Sequence, residues 1–299
     1  MPYFAWQGHR LHYREAGEHT SPLLVVLPGS TASSASHEGE LRHFGRTWRV
    51  AALDYLGTGQ SDRLELPWPM DWWEQGAEQA AALAAHLGAR TYALMGCSGG
   101  GTMALRAAAD RPGEVSAVVA DSCPERLTPR DLRRLAALRV GERPPDEESG
   151  DDPRSGSAPS PTGGIAEQPF PGSFMEYAWR KGPHLLRRLT ARPQRTFWRQ
   201  AHGDDWAEVV AADTALLLGL AEHGGWDPLA GRLAAIRCPV LLTSSLGDED
   251  LPFVVPHHQD MARAIADCRL WVTPRGEHPA MWTDKRGFLR EAGRFLGRV

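Results

Sequence analysis

Hydrophobic residues along this chain form short, mostly apolar runs that are separated by longer stretches with helical spacing. Continuous apolar runs of this length are typical of strands buried on both faces of a parallel sheet. A short hairpin around Gly8 and His9 is also predicted before the first of these apolar runs. The runs lie at residues 23–27, 49–53, 91–96, 115–120, 240–243 and 269–272.

The stretches between these runs predict helices. One begins at Asp71, where Glu74 three positions later suggests a capping box, and an alanine-rich and leucine-rich pattern carries it to Gly88. Others follow Ser98, occupy about 254–266 and start near Lys285. Alternation of strands and helices predicts an α/β fold, with a mostly parallel central sheet flanked by helices.

The alternation breaks in the middle of the chain. Residues 141–170 contain six Pro, five Gly and four Ser, with seven acidic residues against two Arg, so they are expected to form a mobile loop or to be disordered. We interpret 123–230 as a helical cap inserted into a core made of 1–122 and 231–299. Its aromatic residues either recognise a ligand or pack the cap onto the core: Phe174, Tyr177, Trp179, Phe197, Trp198 and Trp206.

Composition excludes few functions. The 299 residues carry a net charge of −4 and an isoelectric point near 6.3, which gives no reason to expect nucleic acid or an anionic membrane as a partner. No basic region followed by an apolar stretch opens the chain, and we expect a cytoplasmic location. The four cysteines include no C-x-x-C pair, so incidental thiols in a reducing compartment are expected.

One motif carries chemistry. The segment Gly96-Cys97-Ser98-Gly99-Gly100 is a G-x-S-x-G sequence with a buried-strand pattern before it and an alanine-rich helix pattern after it. This context is that of a nucleophile elbow, a tight turn that lifts a serine hydroxyl above the sheet. The side chain of Cys97 would point away from this site, so the predicted nucleophile is Ser98.

A serine nucleophile needs a base and an orienting acid. In sites built on this elbow they follow in the order acid, then histidine, and His278 lies directly after the last predicted strand. His257 and His258 are expected to face solvent or the helix surface. For the acid, Asp248 and Asp250 share the loop after the preceding strand, with Asp248 favoured and Asp121 as a third option.

An oxyanion hole needs two backbone donors. One is expected from Gly99, the residue after the nucleophile, and the other from Ser30, in the Pro-Gly turn after the strand at 23–27. An ordinary turn that ends the strand is the alternative for Ser30.

Three segments resemble proteins of the α/β-hydrolase fold family, of the capped, single-domain serine hydrolase type. The elbow matches, the run Asp54–Ser61 resembles the D-x-x-G-x-G-x-S loop, and residues 24–29 are similar to the strand that leads to H-G, with Pro28 in place of His. An ungapped comparison of 238–252 supports Asp248 as the acid, although Ser245 stands where a Gly is usual. Nothing specific is recognised inside the cap.

The resemblance implies chemistry without a cofactor or a metal ion. Family members that open epoxides or cleave carbon–halogen bonds carry Asp at the elbow, so Ser98 favours acyl transfer to water. The expected function is hydrolysis of a small carboxylic ester or lactone through an acyl-enzyme on Ser98. A carbon–carbon hydrolase or lyase with the same triad is the alternative, as is a ligand-binding protein with residual activity.

Overall fold

The computed structural model of the protein describes residues 2–140 and 193–299. Eight strands form one sheet in the order β1-β2-β4-β3-β5-β6-β7-β8. The first two strands pair antiparallel, and β3 to β8 are parallel to one another. The strands are β1 Tyr3–Trp6, β2 His9–Ala16, β3 Leu23–Leu27, β4 Arg49–Leu53, β5 Tyr92–Cys97, β6 Val115–Asp121, β7 Val240–Ser245 and β8 Cys268–Thr273.

The described helices flank this sheet, which confirms the predicted α/β fold. Three of the described α-helices lie in the sequence between β6 and β7, where the cap is predicted. The α-helices are α1 Glu38–Phe44, α2 Trp72–His86, α3 Gly99–Asp110, α4 Pro129–Val140, α5 Pro193–His202, α6 Trp206–Glu222, α7 Val254–Ala264, α8 Ala280–Thr283 and α9 Lys285–Leu296, with short 3₁₀ helices at Ser34–His37 and Leu233–Ala235.

The apolar runs become fully buried strands because both faces of the sheet are covered. Every residue of β3 and β5 is buried. Alternate residues of β3 join different clusters: Val25 packs with α2 and α3, whereas Val26 packs with α1 and α9. A strand with an apolar layer on each side needs hydrophobic side chains at consecutive positions, which is the pattern that the sequence shows.

The order of the strands fixes where a ligand can bind. From β3 the chain moves to β4 on one side, and it then crosses to β5 on the other side of β3. A crevice forms at such a switch point, outside the carboxyl ends of the strands. Ser30 follows β3 and Ser98 follows β5, so both predicted site segments open into this crevice.

Several predictions of local structure need correction or fall outside the described residues. Asp71 precedes α2, but its side chain makes no capping bond and accepts a hydrogen bond from Gln75 instead, so the capping box is wrong. The 3₁₀ helix at Ser34–His37 and α1 were not predicted. The loop at 141–170 lies outside the described ranges. No described helix is long and apolar enough to cross a membrane.

Candidate active site

Ser98 occupies a strained turn between β5 and α3. Its backbone has φ +51° and ψ −129°, a region that L-residues rarely adopt, and its N–H donates to the carbonyl of Asp121 at 2.8 Å. Such strain persists only where the surroundings impose it, and it is common at catalytic turns. The G-x-S-x-G motif therefore forms the predicted elbow.

Two glycines of the motif are required by close packing. A Cβ on Gly96 would lie 2.4 Å from the carbonyl oxygen of Gly100, and a Cβ on Gly100 would lie 2.3 Å from the carbonyl oxygens of Leu27 and Pro28. These contacts involve main-chain atoms, which cannot rotate away. The first turn of α3 therefore sits directly against the end of β3, and this contact brings Ser98 beside the turn that contains Ser30.

His278 is held by Asp248. The Nδ1 of His278 lies 2.8 Å from Oδ2 of Asp248, and both side chains are buried. The other oxygen of Asp248 accepts the N–H of Leu251 at 2.8 Å, so the loop after β7 fixes the carboxylate. Of the three carboxylates left open by the sequence, Asp248 is the one that the structure pairs with His278.

The charges around His278 determine its protonation. Burial acts to lower the pKa of His278, but Asp248, through its charge and hydrogen bond, outweighs burial, and Asp250 and Asp121 add to this, so that the pKa rises to about 9. The imidazolium form is thus favoured, which is the form that arises when a histidine accepts a proton from a nucleophile.

Asp250 and Asp121 lie near this pair in different settings. Asp250 lines the same cavity as Ser98 and His278, and burial raises the pKa of its carboxyl. Asp121 is fully buried and accepts hydrogen bonds from Thr243 at 2.5 Å and from the N–H of Met281 at 2.9 Å. Burial raises the pKa of Asp121 to about 7, against the opposing effect of these bonds.

The two predicted backbone donors are available. Within the described part of the chain, the N–H groups of Ser30 and Gly99 donate to no other group. Gly99 is the first residue of α3, where the helix dipole adds partial positive charge. Two unsatisfied amides beside a serine hydroxyl are what an oxyanion hole requires.

A cavity of about 110 Å³ joins these groups. Ser30, Ser98, Gly99 and His278 line it together with Asp250. The rest of its described lining is largely apolar and comes mainly from the chain between β6 and β7: Leu127, Leu132, Leu135, Leu138, Phe197, Trp198, Leu217, Leu220 and Trp226. Two of the predicted aromatic residues, Phe197 and Trp198, thus face the cavity, whereas Phe174, Tyr177 and Trp179 lie outside the described residues.

Sequence reasoning placed one histidine wrongly. His258 is fully buried, with its Nε2 3.0 Å from the carbonyl oxygen of Cys123, because it lies on the buried face of α7 together with Val254 and Met261. Burial lowers the pKa of His258 to about 3, so it stays neutral. His257 is half-buried and accepts the N–H of Glu125 at 3.2 Å.

Sequence reasoning also missed Arg139, Asp213 and His202, which contact the turn that contains Ser30. Asp213 lies on the buried face of α6, together with Val209, Leu216 and Leu220. A charged residue is unexpected on such a face, so the helical pattern contained a signal for Asp213. Arg139 and His202 lie near the ends of α4 and α5 and follow no comparable pattern. Among the described residues, no group of three or more His, Cys, Asp or Glu side chains could hold a metal ion.

Comparison with known proteins agrees with this architecture. A family model described as the alpha/beta hydrolase fold matches residues 22–154. The human serine hydrolase BPHL is 33% identical over 117 residues, which are 38% of this chain and 40% of that protein. The chain therefore aligns with less than half the length of this curated relative.

Solved structures match along the whole chain at low identity. The enol-lactonase from Burkholderia xenovorans LB400 superposes with a TM-score of 0.66 at 19% identity, covering 99% of this chain and all of that one. The 2-hydroxy-6-oxo-6-phenylhexa-2,4-dienoate hydrolase from Rhodococcus sp. strain RHA1 has a TM-score of 0.67 at 20% identity, over 98% and 97% of the two chains. Together with the family model and the order of the strands, these likenesses show that the chain has the α/β-hydrolase fold.

Proposed function

We propose that this protein is a serine hydrolase that cleaves carboxylic esters or lactones through an acyl-enzyme on Ser98, without a cofactor. The observation that carries the proposal is the placement of Ser98, on a strained elbow, in one cavity with a His278 that is bonded to Asp248. The likeness to an enol-lactonase and to a serine hydrolase supports the same reaction class.

Each group has a role in the proposed reaction. His278 donates its Nδ1–H to Asp248 and, in the proposed reaction, accepts the proton of Ser98 at Nε2 as the hydroxyl attacks the substrate carbonyl. The amides of Ser30 and Gly99 bind the oxygen that becomes negative. His278 then returns the proton to the leaving alcohol, and a water molecule activated by the same histidine hydrolyses the acyl-enzyme.

The cavity supports a substrate whose acyl part is small and largely apolar. Its walls are mainly leucine and tryptophan side chains, which would bury an aliphatic or aromatic group and favour it by about 25 cal/mol for each Å² removed from water. The helices α4, α5 and α6 supply seven of the apolar side chains that line the cavity, and we propose that they form the cap over the site.

A second function deserves a test, because the dienoate hydrolase superposes as closely as the enol-lactonase does. In that case the same residues would cleave a carbon–carbon bond of a diketone. Epoxide opening is disfavoured: although epoxide hydrolase 4 from mouse is 44% identical over 55 residues, Ser98 stands where an epoxide-opening elbow carries Asp.

The decisive experiment compares the wild-type protein with the Ser98→Ala variant. Hydrolysis of p-nitrophenyl esters of increasing acyl length, of simple lactones and of a diketone would be measured, and the intact mass of the protein would be determined after treatment with a fluorophosphonate. We expect ester or lactone turnover that falls at least about a thousandfold in the variant, and a single adduct on Ser98 in the wild type.

The other outcomes separate the alternatives. Turnover of the diketone alone, lost in Ser98→Ala, would establish the carbon–carbon reaction instead. Equal rates in the two proteins, with no adduct, would show that Ser98 is not an acyl acceptor. Stabilisation of the fold by a ligand, without turnover or adduct, would point to a binding protein.

A further inference from the structure

The turn that carries the Ser30 amide is strained. The N–H of Ala32 donates to the carbonyl of Gly29 at 3.1 Å and closes the turn, and Thr31 has φ +55°. A β-branched residue in the left-handed region is a genuine outlier, because its Cβ crowds the neighbouring carbonyl. A strained turn keeps this shape only when contacts from outside hold it.

Those contacts come from the helices inserted between β6 and β7. The hydroxyl of Ser30 donates to the carboxylate of Asp213, whose oxygens lie at 3.0 and 3.1 Å, and it accepts a hydrogen bond from Arg139. Arg139 and Asp213 also form an ion pair with each other, and both side chains are nearly buried. Ser30 therefore lies within a closed network of charged groups from α4 and α6.

His202 of α5 holds the next residue. Its Nε2 lies 3.0 Å from the carbonyl oxygen of Thr31, and its Nδ1 lies 3.0 Å from the N–H of Gly59. A carbonyl must accept and an amide must donate, so the ring is neutral with its proton on Nε2. Burial lowers the pKa of His202, which agrees with a neutral ring.

No other side chain in the described ranges 2–140 and 193–299 forms a hydrogen bond with Ser30 or Thr31. The core supplies the elbow and the His278 pair, whereas the side chains that bond Ser30 and Thr31 come from three helices in the sequence between β6 and β7. An amide must point at the oxyanion within a fraction of an ångström to stabilise it, and a misplacement of 1 Å can cost about a hundredfold in rate.

We propose that Arg139, Asp213 and His202 are positioning residues that hold the Ser30 amide toward the oxyanion, so that catalysis in the core depends on contacts made by the inserted helices. We call these three residues the turn clamp. The inference rests on the proposed function, because an oxyanion hole matters only if Ser98 attacks a carbonyl.

Two variants loosen the turn without removing the amide. Ser30→Ala deletes the hydroxyl that the turn clamp binds, and His202→Ala deletes the donor to Thr31. His202→Gln is the conservative counterpart, since its side-chain amide can still donate to that carbonyl. Asp205→Asn is the matched control: Asp205 bonds Arg63 at 2.6 and 2.8 Å and so ties the same region of chain to the core without touching the turn.

The measurements are kcat and KM on the best ester, the inhibition constant of a trifluoromethyl ketone, and the melting temperature. The serine oxygen adds to the carbonyl of such a ketone, and the adduct places an oxyanion in the oxyanion hole. The affinity of the ketone therefore reports how strongly the site stabilises the transition state. We expect Ser30→Ala and His202→Ala to lower kcat by about 10- to 100-fold, with KM changed less than about threefold and inhibition weakened by the same factor as kcat/KM.

The controls make the proposal falsifiable. His202→Gln should recover most of the lost kcat, and Asp205→Asn should keep wild-type kcat and inhibition. Unchanged kcat in Ser30→Ala and His202→Ala, beside an inactive Ser98→Ala, would overturn the turn clamp and leave the serine hydrolase intact. A Ser98→Ala variant as active as wild type would overturn the proposed function itself. If His202→Ala does not fold, Ser30→Ala alone decides.

Discussion

Asp248 and His278 meet at 2.8 Å although 30 residues separate them in the chain. The carboxyl ends of β7 and β8 are adjacent in the sheet, so the loops that follow them rise side by side. Asp248 lies in the loop directly after β7, where its carboxylate accepts the N–H of Leu251. His278 lies in the loop that follows β8. The pairing of β7 with β8 thus brings two residues that are distant in the sequence within hydrogen-bond distance.

The pH dependence of activity follows from this bond. The neutral form of His278 is the base, and its pKa of about 9 means that this form is scarce at neutral pH. We therefore expect kcat/KM to rise about tenfold per pH unit below the pKa and to level off above pH 9. The profile would be measured between pH 6 and 10.5, with the buffer rate subtracted.

A charge variant tests the cause of that pKa. Asp250 raises the pKa of His278 by its charge without bonding it, so Asp250→Asn should move the midpoint of the profile to lower pH. Glu249→Gln, at the neighbouring position, should leave the midpoint where it is. A wild-type midpoint near 6.5, or identical midpoints in the two variants, would contradict this account.

The identity of the acid can be tested by the Asp248→Asn substitution. An Asn at this position presents an N–H to Nδ1, which favours the tautomer with the proton on Nε2 and so removes the base that Ser98 needs. We expect kcat to fall by about 10⁴-fold with little change in melting temperature. Asp250→Asn, measured at pH 10, should keep kcat within about tenfold of wild type. The reverse ranking would make Asp250 the acid.

The arrangement of this candidate site was largely predictable because its residues are encoded locally. The G-x-S-x-G segment, the acidic loop after β7 and His278 after β8 can each be recognised from a few neighbouring residues. The order of the strands then brings them together. The sequence favoured Asp248 over Asp250 but left both open, because two carboxylates in one loop share the same local pattern, and the structure shows that Asp248 is the one bonded to His278.

The contacts of the turn clamp were not predictable, because they join residues that are far apart in the sequence. Asp213 meets Ser30 across 183 residues, through a helix whose position depends on packing between α4 and α6. The prediction for His258 was wrong for a similar reason: its place at the start of a predicted helix suggested a surface position, but the packing of α7 buries it against Cys123. The helical pattern marks Asp213 as an unexpected charge on a buried face, but no local pattern shows which groups Arg139, Asp213 and His202 contact.

The cavity wall on α6 predicts a change in acyl preference. Leu217 is 3% exposed and lines the cavity, whereas Leu218, the next residue on the same helix, is 42% exposed. Leu217→Ala should shift the p-nitrophenyl ester with the highest kcat/KM to a longer acyl chain, since the deleted carbons leave space, and should cost about 2 to 5 kcal/mol of stability. Leu218→Ala should change neither. An unaltered chain-length profile in Leu217→Ala would remove Leu217 from the acyl site.

The last prediction concerns the contact between α3 and β3. A Cβ on Gly100 would lie 2.3 Å from two main-chain oxygens, so Gly100→Ala must push the helix away from the strand and the turn that follows it. We expect a loss of about 2 kcal/mol or more in the free energy of unfolding, together with a fall in kcat, because Ser98 and the Ser30 amide move apart.

Gly113→Ala is the matched control, since its Cβ would meet nothing within 4 Å, and its unfolding free energy should stay within about 0.5 kcal/mol of wild type. Urea unfolding with an unchanged slope measures both variants. A Gly100→Ala protein as stable and active as wild type would mean that α3 does not rest on the end of β3 as described.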